Sequence, residues 1–332
     1  MREETARVLD ALRRAAGESC SGATLSGDLG RSRAQVWKHV ETLRSLGYGI
    51  QAAAGDGYRL VETPDRLYPE ELLPGLETRW LARDLHWLES VDSTNRTAQE
   101  LARQGAPHGA TVVAEGQTAG RGRLGRSFFS PPYRNLYTSI LLRPQLTTAE
   151  APCWILAAAV AVAGAIEDSL PDPDAVEIKW PNDVLLGGLK ASGILMELTA
   201  EATQISHLVL GIGVNLNVER ESLPNEFRHR ATSLASHAGH SIDRRAFTRR
   251  LYNRLERVLD ACTASGFETV RPEFEKRFQM AGRRICVVDL AGTEIEGIAR
   301  GIDADGALRL VLDDGKETRV IAGDVTIAKE ST

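Results

Sequence analysis

A chain of 332 residues is too long for one small core and predicts two or three domains. Its apolar fraction of 42% and charged fraction of 26% are ordinary for a soluble globular protein. The net charge of −5 argues against a uniformly basic nucleic-acid binder but leaves room for a local basic face. The opening residues, Met1-Arg-Glu-Glu-Thr5, lack the apolar core of a signal peptide, so a cytoplasmic location is expected.

Residues 1–62 read as three helices and a hairpin. Glu3 to Ala16 places Val8, Leu9, Leu12 and Ala16 on one helical face, and Gly17 stops it. Ser21 opens a short second helix, with Leu25 and Leu29 inward, that ends at Gly30. Ser32 followed by Gln35 is a capping-box pair that starts a third. This helix buries Val36, Val40 and Leu43 and displays Arg33, Gln35, Trp37, Lys38 and Arg44. Short strands from Tyr48 to Ala52 and from Gly57 to Val61 flank the turn Ala54-Gly-Asp-Gly57. The order predicts a winged helix-turn-helix on DNA, the alternative being a helical protein-interaction module with a solvated charged face. Ser32 caps the reading helix, Arg33 and Gln35 reach base edges beside Trp37, and Lys38 and Arg44 meet phosphates. A lone half-site binds weakly, which predicts a homodimer on a palindrome.

Thr63 to Gly75, with three prolines, reads as a linker into a domain reaching residue 277. A strand from Leu85 to Glu89 runs into Val91-Asp-Ser-Thr-Asn95. A helix follows from Asn95 to Gln104, with Ala98 and Leu101 inward. At least one of Ser93, Thr94 and Asn95 is expected to cap that helix. Ala110 to Glu115 and Asn135 to Arg143 are further strands, the second alternating at Leu136, Thr138, Ile140 and Leu142. Cys153 to Ile166 is the most apolar stretch. It is shorter than the roughly 20 residues of a membrane span, so it belongs to a buried helix over 150–169. A strand from Val176 stops at Pro181-Asn182-Asp183, and Gly187-Gly188 turns the chain back. Lys190 to Leu198 reads as a central strand. His207 to Leu216 contains Gly211-Ile-Gly-Val-Asn215, whose alternating glycines mark close approach by a ligand or a neighbour. Helices over 243–265 and 268–278 close the domain. The whole predicts a mixed, largely antiparallel sheet with helices on one side.

Residues 278–332 carry short alternating strands: Arg284 to Leu290, Glu294 to Ile302, Ala307 to Leu312 and Lys316 to Ile321. Close turns between them predict a small SH3-like β-barrel without a catalytic constellation. Cys20, Cys153, Cys262 and Cys286 are scattered, and His229, His237 and His240 lack supporting ligands. No disulfide framework or protein-held metal is expected.

The most informative stretch is Glu115-Gly-Gln-Thr-Ala-Gly-Arg-Gly-Arg-Leu-Gly-Arg126. Gly120, Gly122 and Gly125 alternate with Arg121, Arg123 and Arg126. Glycine lets backbone approach a ligand, and arginine offers a planar fork of donors that matches phosphate oxygens. Such a loop can close over an anion and lie loose without one, and the bland alternative is a solvated basic turn or an RG-type nucleic-acid segment. Together with Lys179-Trp-Pro-Asn-Asp183 and Lys190-Ala-Ser-Gly193, it resembles the biotin protein ligases. Residues 1–62 resemble the subgroup that also represses a biotin operon. The likeness runs from about Ser21 to about Val325.

That resemblance implies a multidomain α+β protein: a winged helix over 1–62, a class II aminoacyl-tRNA synthetase-like domain over 63–277 and the small barrel over 278–332. It implies that biotin and ATP, with Mg2+, give biotinyl-5'-AMP and pyrophosphate. The biotinyl group then passes to a lysine of a biotin carboxyl carrier protein. Ser93, Thr94 and Asn95 would read the ureido ring, with Gln117 at the rim. Arg121 and Arg123 would clamp carboxylate and phosphate, and Lys190 would sit against both. Gly120, Gly122 and Gly193 would bring backbone close to the ligand. Asn182 and Asp183 would meet nucleotide or Mg2+, and Lys179 and Asn215 complete the expected set. Leu124 stands where the family often has another arginine. In the family the adenylate also promotes dimerisation and hence operator binding. Two alternatives remain at this level: a lipoate-type ligase, and a metabolite-sensing transcription factor without catalysis.

Overall fold

The computed structural model describes residues 1–53, 57–171, 175–289 and 291–327. The chain divides into two compact units, Met1–Arg66 and Leu67–Thr332. In the first, α1 (Glu3–Arg14), α2 (Gly22–Leu29) and α3 (Arg33–Ser45) precede a hairpin of β1 (Gly49–Ala53) and β2 (Gly57–Glu62). Val8, Leu9, Leu12, Leu25, Val36, Val40 and Leu43 are its core, each at most 1% exposed. The capping box forms as expected: Ser32 Oγ accepts from Gln35 N, and Gln35 Oε1 accepts from Ser32 N at 3.0 Å. α1 stops sooner than expected. Ala16 already has φ 48° and faces solvent rather than the core. The hairpin turn at 54–56 lies outside the described residues.

In the second unit, α4 (Pro69–Leu72) leads into a sheet whose strands are separated by helices. These are β3 (Leu85–Leu88), α5 (Thr94–Arg103), β4 (Thr111–Ala114), β5 (Leu136–Leu142), α6 (Ala151–Glu167), β6 (Val176–Lys179), β7 (Asp183–Leu186), β8 (Leu189–Glu201) and β9 (Gln204–Val214). The seven strands lie in the order β3-β4-β5-β9-β8-β7-β6. β3 and β4 pair in parallel, and the remaining pairs run antiparallel. Short α7 (Asn225–Arg228) and α8 (Leu234–Ala238) precede α9 (Arg244–Ser265) and α10 (Arg271–Arg277). The strand from Val176 was expected to stop at Pro181-Asn182-Asp183, with no element over 184–186. Asp183 to Leu186 form β7, because β6 returns antiparallel around Trp180-Pro181-Asn182.

Period-two alternation decides which face each strand residue serves. Leu136, Ile140 and Leu142 of β5 and Leu208, Leu210, Ile212 and Val214 of β9 join the main core with α6 and α9. Leu141 and Val209 point the other way and pack with Ala98 and Ala102 of α5. The expectation of helices on one side is therefore corrected: α5 covers part of the opposite face. Its small apolar residues suffice to bury Val112, Leu141 and Val209 there. Past the start of α5 the same face carries Tyr137, Gly211 and Gly213, and a cleft opens over them.

α6 is buried nearly all round, as expected of a helix apolar on every side. No helix among the described residues is long and apolar enough to cross a membrane. At the C-terminal end, β10 (Arg284–Asp289), β11 (Glu294–Ile302), β12 (Leu308–Val311), β13 (Glu317–Val320) and β14 (Gly323–Ile327) form an antiparallel sheet ordered β13-β12-β11-β10-β14. β14 was not anticipated; it returns to pair with β10. Leu290, the expected end of β10, lies outside the described residues. These strands share the main core: Ile285, Val287, Leu308 and Leu310 cluster with α6, and Trp180 Nε1 donates to Gly306 O at 3.0 Å.

Candidate active site

The glycine–arginine stretch leaves β4 at a fixed point. Glu115 and Arg244 are fully buried and paired at 2.9 Å. The other Glu115 oxygen accepts from Leu67 N at 2.8 Å and Trp87 Nε1 at 3.1 Å. Buried charges survive in a core when paired and hydrogen-bonded in this way. The loop beyond folds back on itself: Phe128 N donates to Gly120 O at 2.9 Å and Gly122 N to Arg126 O at 2.7 Å. A Cβ on Gly120 would stand 2.5 Å from Phe128 O and from Ser130 Oγ, so the return requires glycine. Backbone bonds and charged contacts, rather than apolar packing, hold the loop. Leu124 forms its exposed tip at φ 54° and is not among the residues lining the cleft.

The loop roofs an open cleft. Its floor is the face of the sheet that α5 leaves bare, and its wall is the start of α5. Ser93, Thr94 and Asn95 are 2–4% exposed and line it. One of the three, Ser93, takes the N-cap position as expected, but its side chain makes no capping bond. Instead Thr94 N donates to Gln117 Oε1 at 2.9 Å, and Gln117 Nε2 donates to Ser130 Oγ at 3.0 Å. Gln117 therefore does the capping from outside and ties the triplet to the loop.

Across the cleft, Lys190 Nζ lies 2.6 Å from Asp183 Oδ1. A Cβ on Gly193 would come within 3.0 Å of that ammonium and 2.9 Å of Lys190 Cε, so the missing side chain leaves it room. Arg123 donates to Asn182 Oδ1 and to Gly323 O, each at 3.1 Å. Burial lowers its pKa from the ordinary value, while Asp324 and Asp183 pull it back, so it enters the cleft as a cation with few water contacts. Arg126 pairs with Asp324. Arg121 pairs with Glu197 at 2.9 Å. The cations of the cleft are thus each held against a carboxylate or carbonyl partner.

Of the expected contacts, Ser93, Thr94, Asn95, Gln117, Arg121, Gly122, Arg123, Asn182, Lys190 and Gly193 converge on this cleft. Asp183 reaches it through Lys190. Gly120, Lys179 and Asn215 are not among its lining. Lys179 lies opposite Val176 and Ile178 in the alternation of β6, away from the buried face. Asn215 is used internally, donating from Nδ2 to Thr232 O at 3.0 Å and lying 3.4 Å from Asn135 Nδ2. Phe128, Tyr137, Leu195, Gly211 and Gly213 also line the cleft and were not singled out as contacts. A signal existed for two of them. The alternating glycines of β9 mark where a Cβ would meet Asn95 Oδ1 (2.1 Å, from Gly211) and the Phe128 ring (2.6 Å, from Gly213). Tyr137 is a buried phenol whose pKa is raised by desolvation and whose hydroxyl donates to Pro131 O at 3.0 Å.

The first unit offers a separate surface. Ser32, Arg33, Gln35, Trp37 and Lys38 are all exposed on α3, with Trp37 52% exposed. Gln35 is occupied by the capping box. Arg44 does not join this surface as expected. It donates to Ile50 O at 3.0 and 2.7 Å and pairs with Glu41, so it ties α3 to the wing.

Residues 87–215 match the Biotin/lipoate A/B protein ligase family, residues 5–59 an HTH domain, and residues 281–327 the Biotin protein ligase C terminal domain. The bifunctional ligase/repressor BirA of Bacillus subtilis is 36% identical, covering 96% of this chain and 97% of its own. The protein of that name from Escherichia coli is 33% identical, with 94% of each chain covered. Among solved structures, a biotin protein ligase from Aquifex aeolicus in complex with biotin and ATP aligns with a TM-score of 0.65 at 28% identity. That alignment covers 74% of this chain and all of the other.

Proposed function

The chain belongs to the bifunctional biotin ligase/repressor family, and from that premise we propose how its residues divide the work. The protein is an ATP-dependent biotin protein ligase with a DNA-binding repressor head. We assign the head to residues 1–62, catalysis to 63–277 and the closing barrel to 278–332. A carboxylate is a poor acyl donor. Attack of the biotin carboxylate oxygen on the α-phosphorus of ATP forms a mixed anhydride and releases pyrophosphate. Negative charge gathers on phosphate oxygens in that step, so catalysis is mainly positioning and electrostatic stabilisation. Lys190, fixed on β8 beside Gly193, leaves Asp183 to meet the biotin carboxylate and α-phosphate. Arg123 and Arg121 close over the same atoms from the loop and exclude water that would hydrolyse the anhydride. A lysine amine of a biotin carboxyl carrier protein then attacks the carbonyl, giving an amide and AMP.

The polar set Ser93, Thr94, Asn95 and Gln117 favours biotin over lipoate. A ureido ring presents two donors and a carbonyl acceptor, which hydroxyls and amides can satisfy in a buried wall. A dithiolane ring offers no hydrogen-bonding partner to this polar wall. Mg2+ arrives with the nucleotide. Asp183 offers one carboxylate oxygen, which fits an ion that takes its other ligands from phosphate and water, and Asn182 lies beside it. When bound, the ion neutralises phosphate charge.

On the head, Arg33, Gln35, Trp37 and Lys38 face the operator, with Ser32 at the helix start. Binding a palindrome requires a homodimer, promoted when the adenylate orders the loop. A cytoplasmic location follows from these partners. The observation that carries the catalytic assignment is convergence: one ammonium, two guanidiniums and a buried Ser-Thr-Asn triplet meet on a single cleft. Biotin-dependent exchange of pyrophosphate into ATP tests it. We expect exchange with biotin and only background with lipoate. Exchange with lipoate alone would reassign the acid.

A further inference from the structure

Glu197 lies next to the cleft, between the loop and α5. One of its carboxylate oxygens lies 2.9 Å from Arg121 Nη1. The other accepts from Asn95 Nδ2 at 2.8 Å. Its side chain is 27% exposed, so the charge is shielded only in part by water. Alternation along β8 explains the placement: Leu195 and Glu197 pair with Gly211 and Val209 of β9 and share their face.

A carboxylate is acceptor-only when ionised, so it dictates the polarity of the amide it meets. With Nδ2 turned to Glu197, Asn95 Oδ1 must face Ser139 Oγ, 2.7 Å away. Ser139 Oγ also lies 2.8 Å from Thr94 Oγ1, whose own bond runs to Gln117. A reversed amide would set two acceptors against each other at Glu197. The same carboxylate holds the guanidinium of Arg121 over the wall it has just oriented. No other described acidic side chain is paired with Arg121.

We propose that Glu197 is a positioning residue for acid binding: it fixes the donor–acceptor order of the Asn95 wall and parks Arg121 above it. The inference rests on the ligase reading and adds a residue to it. It acts before chemistry, so its effect falls on capture of the acid rather than on the phosphoryl step.

The test uses the full-length protein with Glu197→Ala and Glu197→Gln, biotin-dependent pyrophosphate exchange, and calorimetric titration with biotin in the absence of ATP. Loss of a charge-assisted hydrogen bond predicts that Glu197→Ala raises KM and Kd for biotin about ten-fold. The kcat should stay within about two-fold, because the interaction is made before the transition state. Glu197→Gln keeps an acceptor for Asn95 but loses the charge facing Arg121, so it should fall between. Trypsin should cut the loop faster in both variants. A merely structural role would lower the melting temperature without this split between KM and kcat. Should Glu197→Ala fail to fold, Glu197→Gln decides alone. An unchanged KM, a KM below that of the unaltered protein, or a loss confined to kcat overturns the inference and leaves the ligase reading intact. Absence of exchange in the unaltered protein sinks both.

Discussion

Replacing Lys190 by methionine keeps length and removes charge. In the resting protein its ammonium neutralises Asp183 at 2.6 Å, with Lys190 about one-third exposed. When the phosphate takes that place, two unit charges about 4 Å apart at an effective dielectric near 20 interact by about 4 kcal/mol. Partial solvent access lowers this to about 3 kcal/mol, and each 1.36 kcal/mol is tenfold in rate, so the loss is about a hundred-fold or more. Biotin-dependent pyrophosphate exchange measures it as kcat/KM. The same change leaves the Asp183 carboxylate without its cation, so the melting temperature should fall by a few degrees, in line with about 1 kcal/mol. Adding Asp183→Asn should restore the melting temperature but not the exchange. A Lys190→Met protein retaining a third of normal kcat/KM, or rescue of exchange by the second change, would refute the electrostatic role.

Four further outcomes are expected. Gly211→Ala sets a methyl 2.1 Å from Asn95 Oδ1; displacement of that amide should weaken biotin binding more than about ten-fold by calorimetry, with overpacking of about 1–3 kcal/mol in denaturant melts. Arg244→Met strands the buried Glu115 carboxylate and should cost about 3–5 kcal/mol of stability, read from urea midpoints, whereas a shift below about 1 kcal/mol would show that the pair is not needed. In operator titrations, Lys38→Ala should reduce the slope of log affinity against log salt by about one. Gln35→Ala should weaken the helix start by about 1 kcal/mol as well as the DNA contact, because its oxygen caps Ser32 in the free protein.

How much was legible in the chain depended on whether a signal was local. Ser32 and Gln35 announced α3 because a capping box is written in four consecutive residues, and it formed as read. The strands of the main sheet followed from alternation. β7 and β14 escaped because each is specified by its partner, β6 or β10, and not by its own short sequence. The second helical face escaped for a related reason: Ala98 and Ala102 look too small to cover a sheet until Val112, Leu141 and Val209 are seen beneath them.

The site divides the same way. Lys190, Arg121, Arg123 and the Ser93-Thr94-Asn95 triplet stand in recognisable runs. Phe128 and Tyr137 reach the cleft, and Glu197 its edge, only through strand register or the loop's return, which no short pattern encodes. Asn215 sits in a run that attracts attention, yet the fold uses it to join the end of β9 to Thr232. Arg44 looked like a phosphate contact because it is basic and on the reading helix. Its fork instead satisfies Ile50 O, a carbonyl on the next element, β1, six residues away in sequence.

The central claim is that a guanidinium-bearing loop and a fixed ammonium together hold activated biotin. Purified protein incubated with biotin, Mg2+ and ATP labelled in the α-phosphate, then passed through a desalting column, tests it most directly. Label should emerge with the protein in equal molar amount and be released as AMP on adding a carrier domain, while Arg123→Ala should lose the label to hydrolysis on the column. Label that never travels with the unaltered protein, or that Arg123→Ala retains equally well, would contradict the account.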